Sequence, residues 1–361
     1  MSIAASEQLL NGEGQYGPIP YLLGSPSGPG VWFWDFSATD VTIFYWDGQS
    51  QLQSWNVLSG TSYAPPEASA GLTVDGQGNV WFGYNDTLFE LDPTTADIST
   101  WSIPPPPTSA AESQLPFGLQ GIQAVTNVAV GPTGRVAVAL SSASGVEVLD
   151  PTTGSFSVIA TPATAGTPVS VAWDQDGYLA VGLQSQQAGS KNSVVLVSPS
   201  QTQTVVGGLP DTSAIAAFSS SEFVVGSSQP YLVTEQGGST PVVLSTVLIP
   251  NPGHPAPLPM NPEGQLVGGT SLGLLSFSAT AASQSAATSS AVALSLPEAP
   301  CAYGEQGSTP ATTSPQASTT STGAGQLCPQ GGFQAYAVDE TGSIWVVPPG
   351  EPETIAELTA G

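Results

Sequence analysis

Basic side chains are nearly missing from this chain. Arg135 and Lys191 are the two present among 361 residues, against 27 acids. Charged residues amount to 8%, where an ordinary soluble protein carries about 25%. The acids are not in excess, so a halophilic surface crowded with carboxylates is excluded; it is the bases that have gone. At pH 7 the formal charge of −25 implies self-repulsion. Near pH 2, well below the usual carboxyl pKa of about 4, the remaining positive groups are Arg135, Lys191, His254 and the amino terminus. Acid denaturation is largely the response to protonated carboxylates and accumulated positive charge, and here little accumulates. The expectation is a secreted or cell-surface protein of an acid-adapted organism. A secreted protein at neutral pH that has shed its bases is the alternative. Asp92-Pro93 and Asp150-Pro151, bonds that hot acid cleaves, weigh against extreme conditions. With so few cations, nucleic acid and anionic membranes are poor partners.

Cysteine and histidine are scarce too. Cys301 and Cys328 bracket a Ser/Thr/Pro/Gly-rich stretch, so residues 298–331 read as an insertion loop closed by a disulfide. Such a staple is worth about 3–4 kcal/mol on the chain-entropy estimate; two buried free thiols are the alternative. His254 sits in the proline-rich segment Asn251-Pro252-Gly253-His254-Pro255, which leaves no histidine base for a nucleophile triad and too few ligands for zinc. No catalytic residue, cofactor or metal site is expected, and no phosphate loop or dinucleotide fingerprint is present. No run of 18 apolar residues occurs, so no membrane insertion is expected. Met1-Ser2-Ile3-Ala4-Ala5 lacks the basic and apolar regions of a signal peptide, which implies a removed leader or unconventional export.

What the chain does contain is a repeat. Each copy has an apolar strand, a Gly-containing turn, a second strand of Val, Trp and small residues, then a third strand and a polar turn. The second strands begin at Val31, Val80, Val136, Leu179, Phe223, Leu266 and Ile344. Successive copies therefore stand 49, 56, 43, 44, 43 and 78 residues apart, the last gap holding the cysteine-bracketed loop. Turns such as Asp92-Pro93-Thr94-Thr95 and Asp150-Pro151-Thr152-Thr153-Gly154 suit hairpins. Strand and turn at this period predict an all-β fold, one β-propeller domain over 1–361 with seven blades of four antiparallel strands. The last copy has room for one further strand, so residues 1–12 are expected to supply the outer strand of blade seven and close the ring.

The segment Gly71-Leu72-Thr73-Val74-Asp75-Gly76-Gln77-Gly78-Asn79-Val80-Trp81-Phe82, followed by Leu91-Asp92-Pro93, resembles the blades of the streptogramin-lyase (virginiamycin B lyase) and NHL-like repeat superfamily. Blades three, four and seven match more loosely, and the first, fifth and sixth in outline. The resemblance implies a propeller and not a reaction. The lyases act through histidines and a glutamate around the central opening, and the lone His254 cannot supply that machinery.

Two carboxylate pairs, Asp174/Asp176 and Asp339/Glu340, fall in blade turns, where acids commonly serve backbone N–H groups. Asn85, Asp86 and Glu90 are hard-oxygen ligands without the spacing of a calcium cage, and Asn85-Asp86-Thr87 is a glycosylation sequon. Aromatics crowd the first two blades. Trp32, Trp34, Trp46, Trp55, Trp81 and Tyr84 are candidates for a binding platform, although ordinary packing between blades explains large side chains equally well. These features point to a non-catalytic binding or assembly protein that presents loops to a surface polysaccharide or to protein partners, including itself. The contrasting expectation is a lyase-like or carboxylate-dependent hydrolase at the central opening.

Overall fold

In the computed structural model the described residues are 2–8, 22–36, 40–49, 52–58, 71–105, 125–140, 145–162, 165–187, 189–226, 231–237, 239–241, 266–270, 273–277, 292–293, 335–341, 343–347 and 354–359. Strand β1 (Ser2–Gln8) precedes seven successive antiparallel sheets. Blade one is β2 (Leu23–Gly24), β3 (Val31–Phe36), β4 (Val41–Trp46) and β5 (Gln53–Leu58). Blade two is β6 (Leu72–Val74), β7 (Val80–Tyr84), β8 (Thr87–Asp92) and β9 (Asp97–Ser102). Blade three is β10 (Val125–Val130), β11 (Val136–Leu140), β12 (Gly145–Asp150) and β13 (Ser155–Ala160). Blade four is β14 (Thr167–Trp173), β15 (Leu179–Gln184), β16 (Asn192–Val197) and β17 (Gln203–Leu209). Blade five is β18 (Ile215–Ser219), β19 (Glu222–Val225), β20 (Tyr231–Thr234) and β21 (Ser239–Pro241). The sixth sheet shows three strands, β22 (Leu266–Thr270), β23 (Gly273–Phe277) and β24 (Val292–Ala293). The seventh is β25 (Ala335–Val338), β26 (Ile344–Val347), β27 (Thr354–Thr359) and β1, in the order β1-β27-β26-β25. Ser2 stands opposite Thr359 and Gln8 opposite Thr354, so the N-terminal strand is the outer strand of blade seven. No helix among the described residues is long and apolar enough to cross a membrane.

The second strand of each blade is where the packing is tightest. Every residue of β7 and of β11 is buried, because neighbouring blades cover both faces of the sheet. Side chains alternate across a strand, so one strand feeds two cores. Trp34 and Phe82 meet edge to face at 6.2 Å between blades one and two. Trp46 and Trp345 meet at 5.5 Å between blades one and seven. Further round, Ala137, Ala139, Val181 and Val195 fill the core between blades three and four. Aromatics on one side of the ring thus give way to alanine and valine on the other.

The turn between first and second strands follows a common plan. Asp75 accepts the Gln77 and Asn79 backbone N–H groups on Oδ1, at 2.8 and 2.9 Å. Asp174 accepts those of Asp176 and Tyr178, and Asp339 those of Thr341 and Ser343. The carboxylate therefore stands in for a backbone acceptor and shapes the turn. Gly78 and Gly177 take φ of +92° and +85° within these turns, a region that side chains disfavour.

Candidate functional site at the inner ring

The first strands of blades one to five surround a cavity of about 200 Å³. Thr73, Asn127, Ser170, Ser213 and Trp173 are its polar lining, among apolar Leu, Val, Ile and Ala. None of these lining side chains carries an acid or a base.

The polar groups of the inner ring are engaged between blades. Asn127, on β10, accepts the Val171 N–H of β14 at 3.0 Å on Oδ1. Its amide also packs on Gly71 so closely that a Cβ there would lie 2.5 Å from Nδ2. Ser170 donates to the Thr212 carbonyl at 2.6 Å, and Thr212 donates back from Oγ1 to the Leu183 carbonyl at 3.2 Å. A propeller blade offers backbone groups to its neighbours where strands diverge, and these side chains supply the missing partners.

Two of the turn aspartates, Asp174 and Asp339, tie adjoining blades together from the opposite end of the first strands. Asp339 is 2% exposed, and its Oδ2 accepts the Trp345 indole N–H at 3.0 Å and the Gly30 N–H of blade one at 2.8 Å. Asp174 Oδ2 accepts the Ser221 N–H of blade five at 2.7 Å. Asp75 accepts the Trp81 indole at 3.0 Å. Asp75 and Asp339 therefore share a pattern, an aspartate followed six residues on by a tryptophan whose N–H it receives. Asp174 and Asp339, the leading members of the two sequence pairs, are structural hydrogen-bond acceptors.

Other carboxylates respond to their surroundings. Glu90 accepts the Asn79 amide at 3.0 Å, and burial, with Asp75 nearby, raises its carboxyl above the usual range. It points along the sheet to Asn79, and Asn85 and Asp86 lie at the β7–β8 hairpin tip, three register pairs away from it. Asp92 is held below the usual carboxyl range by the Thr94 N–H. The Tyr178 hydroxyl donates to Glu235 at 3.0 Å across blades four and five, and that hydrogen bond raises its pKa.

Of the proposed aromatic platform, Trp32, Trp34, Trp46, Trp81 and Tyr84 are buried, at 5% exposure or less. They pack between blades because their strands have no open face. Trp55, on the outer strand β5, is half-buried against Trp32 at 5.6 Å, and Trp101 stacks on Trp81 at 5.2 Å. Asn85 is partly exposed in a left-handed conformation with φ 52°. Cys301, Cys328, His254 and the insertion 298–331 lie outside the described residues. Asn127, Ser170 and Thr212 were not singled out by the sequence; a polar residue interrupting Val125-Thr126-Asn127-Val128-Ala129-Val130 was the available signal.

No family model and no curated protein matches the chain. Solved structures do. A catalytically inactive virginiamycin B lyase from Staphylococcus aureus, crystallised with quinupristin, aligns with TM-score 0.57 and 13% identity over 98% of each chain. The WD40 repeats of RRP9 align with TM-score 0.57 and 11% identity over 99% of each. An extracellular domain of a one-component system from B. thetaiotaomicron aligns with TM-score 0.50 and 11% identity, over 98% of this chain and 39% of that one. At these identities the likeness establishes the β-propeller fold.

Proposed function

We propose that this propeller is a non-catalytic binding and assembly protein working outside the cell in an acidic medium. It engages protein partners, copies of itself included, or a surface polysaccharide. The observation that carries the reading is at the rim. Ile98, Val158 and Val205 are 39%, 53% and 47% exposed, and they lie on β9, β13 and β17, the outer strands of three consecutive blades. Those strands carry one carboxylate, Asp97, and no lysine or proline, the residues that usually guard a sheet edge. At neutral pH the acids elsewhere keep like molecules apart, and in acid that repulsion fades. The neutral cavity lining, with Asn127 and Ser170 tied to adjacent blades, supports a scaffold over a carboxylate hydrolase. The extracellular domain among its structural neighbours is in keeping with a role outside the cell. Asn85, at a hairpin tip, is the place for a glycan.

Sedimentation velocity tests the assembly. Self-association is expected at pH 3 and a monomer at pH 7, with Val158→Lys and Val205→Lys together weakening association at least tenfold. A monomer at pH 3 would end this version, leaving identification of what co-purifies with the native protein to decide between protein and polysaccharide.

Thermal melting tests the acidic medium. Glu90 and Glu147 both have carboxyls raised by burial, so each favours the folded state more as pH falls through its folded value toward the unfolded one. Asp92 acts oppositely, losing its contribution as pH drops through its lowered value. The net expectation is a Tm at pH 4 equal to or above that at pH 7. A steady fall from pH 7 to pH 3 contradicts it.

A further inference from the structure

Glu147 differs from the other buried acids of this protein. It lies on β12 with Val138 of β11 on one side and Val158 of β13 on the other. It is 3% exposed, and its Oε2 is sealed from solvent without a hydrogen-bond partner. Asp75, Asp174 and Asp339 each receive several N–H groups, which solvate them as anions; Glu147 has none of that.

Strand alternation says where it points. Val146 and Val148 pack in the core shared with blade four, whereas Leu149 packs in the core shared with blade two. Glu147 is on the Leu149 face, so it fills the seam between blades two and three. Among the described residues, the charges around that seam have one sign. Strands β10, β11 and β13 carry no titratable side chain, and Asp150, the other acid of β12, is on the opposite face. On blade two, Gly83 abuts Val125 of blade three, which puts Trp81 and its cross-strand partner Glu90 on the facing side. Asp92 and Asp97 share that side, Asp86 sits in the hairpin above, and Asp75 in the turn below. All are acids. Arg135 runs along the far face of blade three, where its Nη2 donates to Ser157 at 3.4 Å.

We propose that Glu147 is an acid-set latch on the seam between blades two and three: neutral, it completes the packing, and ionised, it loosens that seam. An unpaired buried carboxylate is costly, and its neutral form is the one an apolar site accepts. Burial accordingly holds this carboxyl above the usual range. The seam is therefore tight in acid and weakens as pH rises through the folded value, the reverse of ordinary acid denaturation. The latch concerns this seam alone and stands whether or not the molecule self-associates.

Amide hydrogen exchange on the full chain tests it. Opening rates, corrected for intrinsic chemistry, are compared at pH 4 and pH 7 for peptides covering 80–92 and 136–150. The wild type is expected to open severalfold more readily at pH 7, where the buried carboxylate ionises and disfavours the closed seam. Glu147→Gln should abolish that difference in these peptides and leave peptide 179–184 unchanged. Persistence of the pH difference in Glu147→Gln would overturn the latch, as would equal protection of the wild type at both pH values. Glu147→Met supplies the same test with an apolar side chain. Failure of both neutral variants to fold at pH 4 would also refute the proposal, because it requires only that the side chain be uncharged.

Discussion

Asp339→Ala is expected to lower the stability of the protein by about 4 kcal/mol, the largest effect of any single carboxylate described above. Its two oxygens accept from Gly30 N, Trp345 Nε1, Thr341 N, Thr341 Oγ1 and Ser343 N, at 2.6 to 3.0 Å. The two donors to Oδ2 matter most, because they lie at a buried seam between blades one and seven. Each buried donor left unsatisfied costs about 1–3 kcal/mol. The turn donors are nearer solvent and recover part of their loss. For a chain of this size 4 kcal/mol corresponds to a fall in Tm of roughly 5 °C. Asp339→Asn is not a full rescue, since both oxygens receive N–H groups and, whichever way the amide turns, its NH2 faces one set of them. Asp97→Ala, at an exposed strand start, is the control and should stay within about 0.5 kcal/mol. Calorimetry decides the matter: a Tm within 1 °C of wild type for Asp339→Ala would show that blades one and seven are held by their apolar core alone.

Gly182→Ala should cost about 3 kcal/mol, for the opposite reason. At Asp339 a partner is removed; at Gly182 there is no room for an addition. A Cβ would lie 2.3 Å from Ser170 Oγ and 2.5 Å from the Thr212 carbonyl oxygen, so the Ser170–Thr212 hydrogen bond must break or blades four and five must separate. Overpacking of this kind costs about 1–3 kcal/mol, and the lost bond adds about 1 kcal/mol. The double variant Gly182→Ala/Ser170→Ala is expected to lose less than the sum of its parts, because one of the two clashing atoms has gone. Gly76→Ala, with nothing within 4 Å of its Cβ, should be close to neutral. Strict additivity in chemical denaturation would mean that Gly182 and Ser170 do not meet as described.

Much of this architecture is legible in the chain because turn chemistry and strand chemistry coincide. The second strands begin at Val31, Val80, Val136 and Leu179 as the repeat spacing implies, and at Glu222 one residue ahead of Phe223. The turn aspartates are recognisable because an Asp before a Gly-containing turn has one common use. The fate of the aromatics is less legible. Period-two alternation assigns Trp32 and Trp34 to one face of β3, but both faces of a blade's inner strands are covered, so alternation does not separate solvent from core. Asn127 and Ser170 are obscure for a related reason: their partners are backbone groups of the next blade, some 40 residues on, which local pattern does not report. Glu147 left a faint trace, since it shares Leu149's side of β12 where every other side chain is apolar.

The pairing of β1 with β27 has a consequence for the order of events in folding. Blades two to five are each built from strands close in sequence, and each hairpin forms as its residues become available. Blade seven is different: its outer strand is made first and must wait for a partner at Thr354–Thr359. So large a sequence separation carries a heavy loop-closure cost and slows the step that incurs it. Ring closure is therefore expected to come late in assembly. Until then Ser2–Gln8 is a strand without its partner, and the unguarded rims of blades two, three and four are wrong edges it could pair with. A chain so poor in lysine holds few charges to turn it away from them.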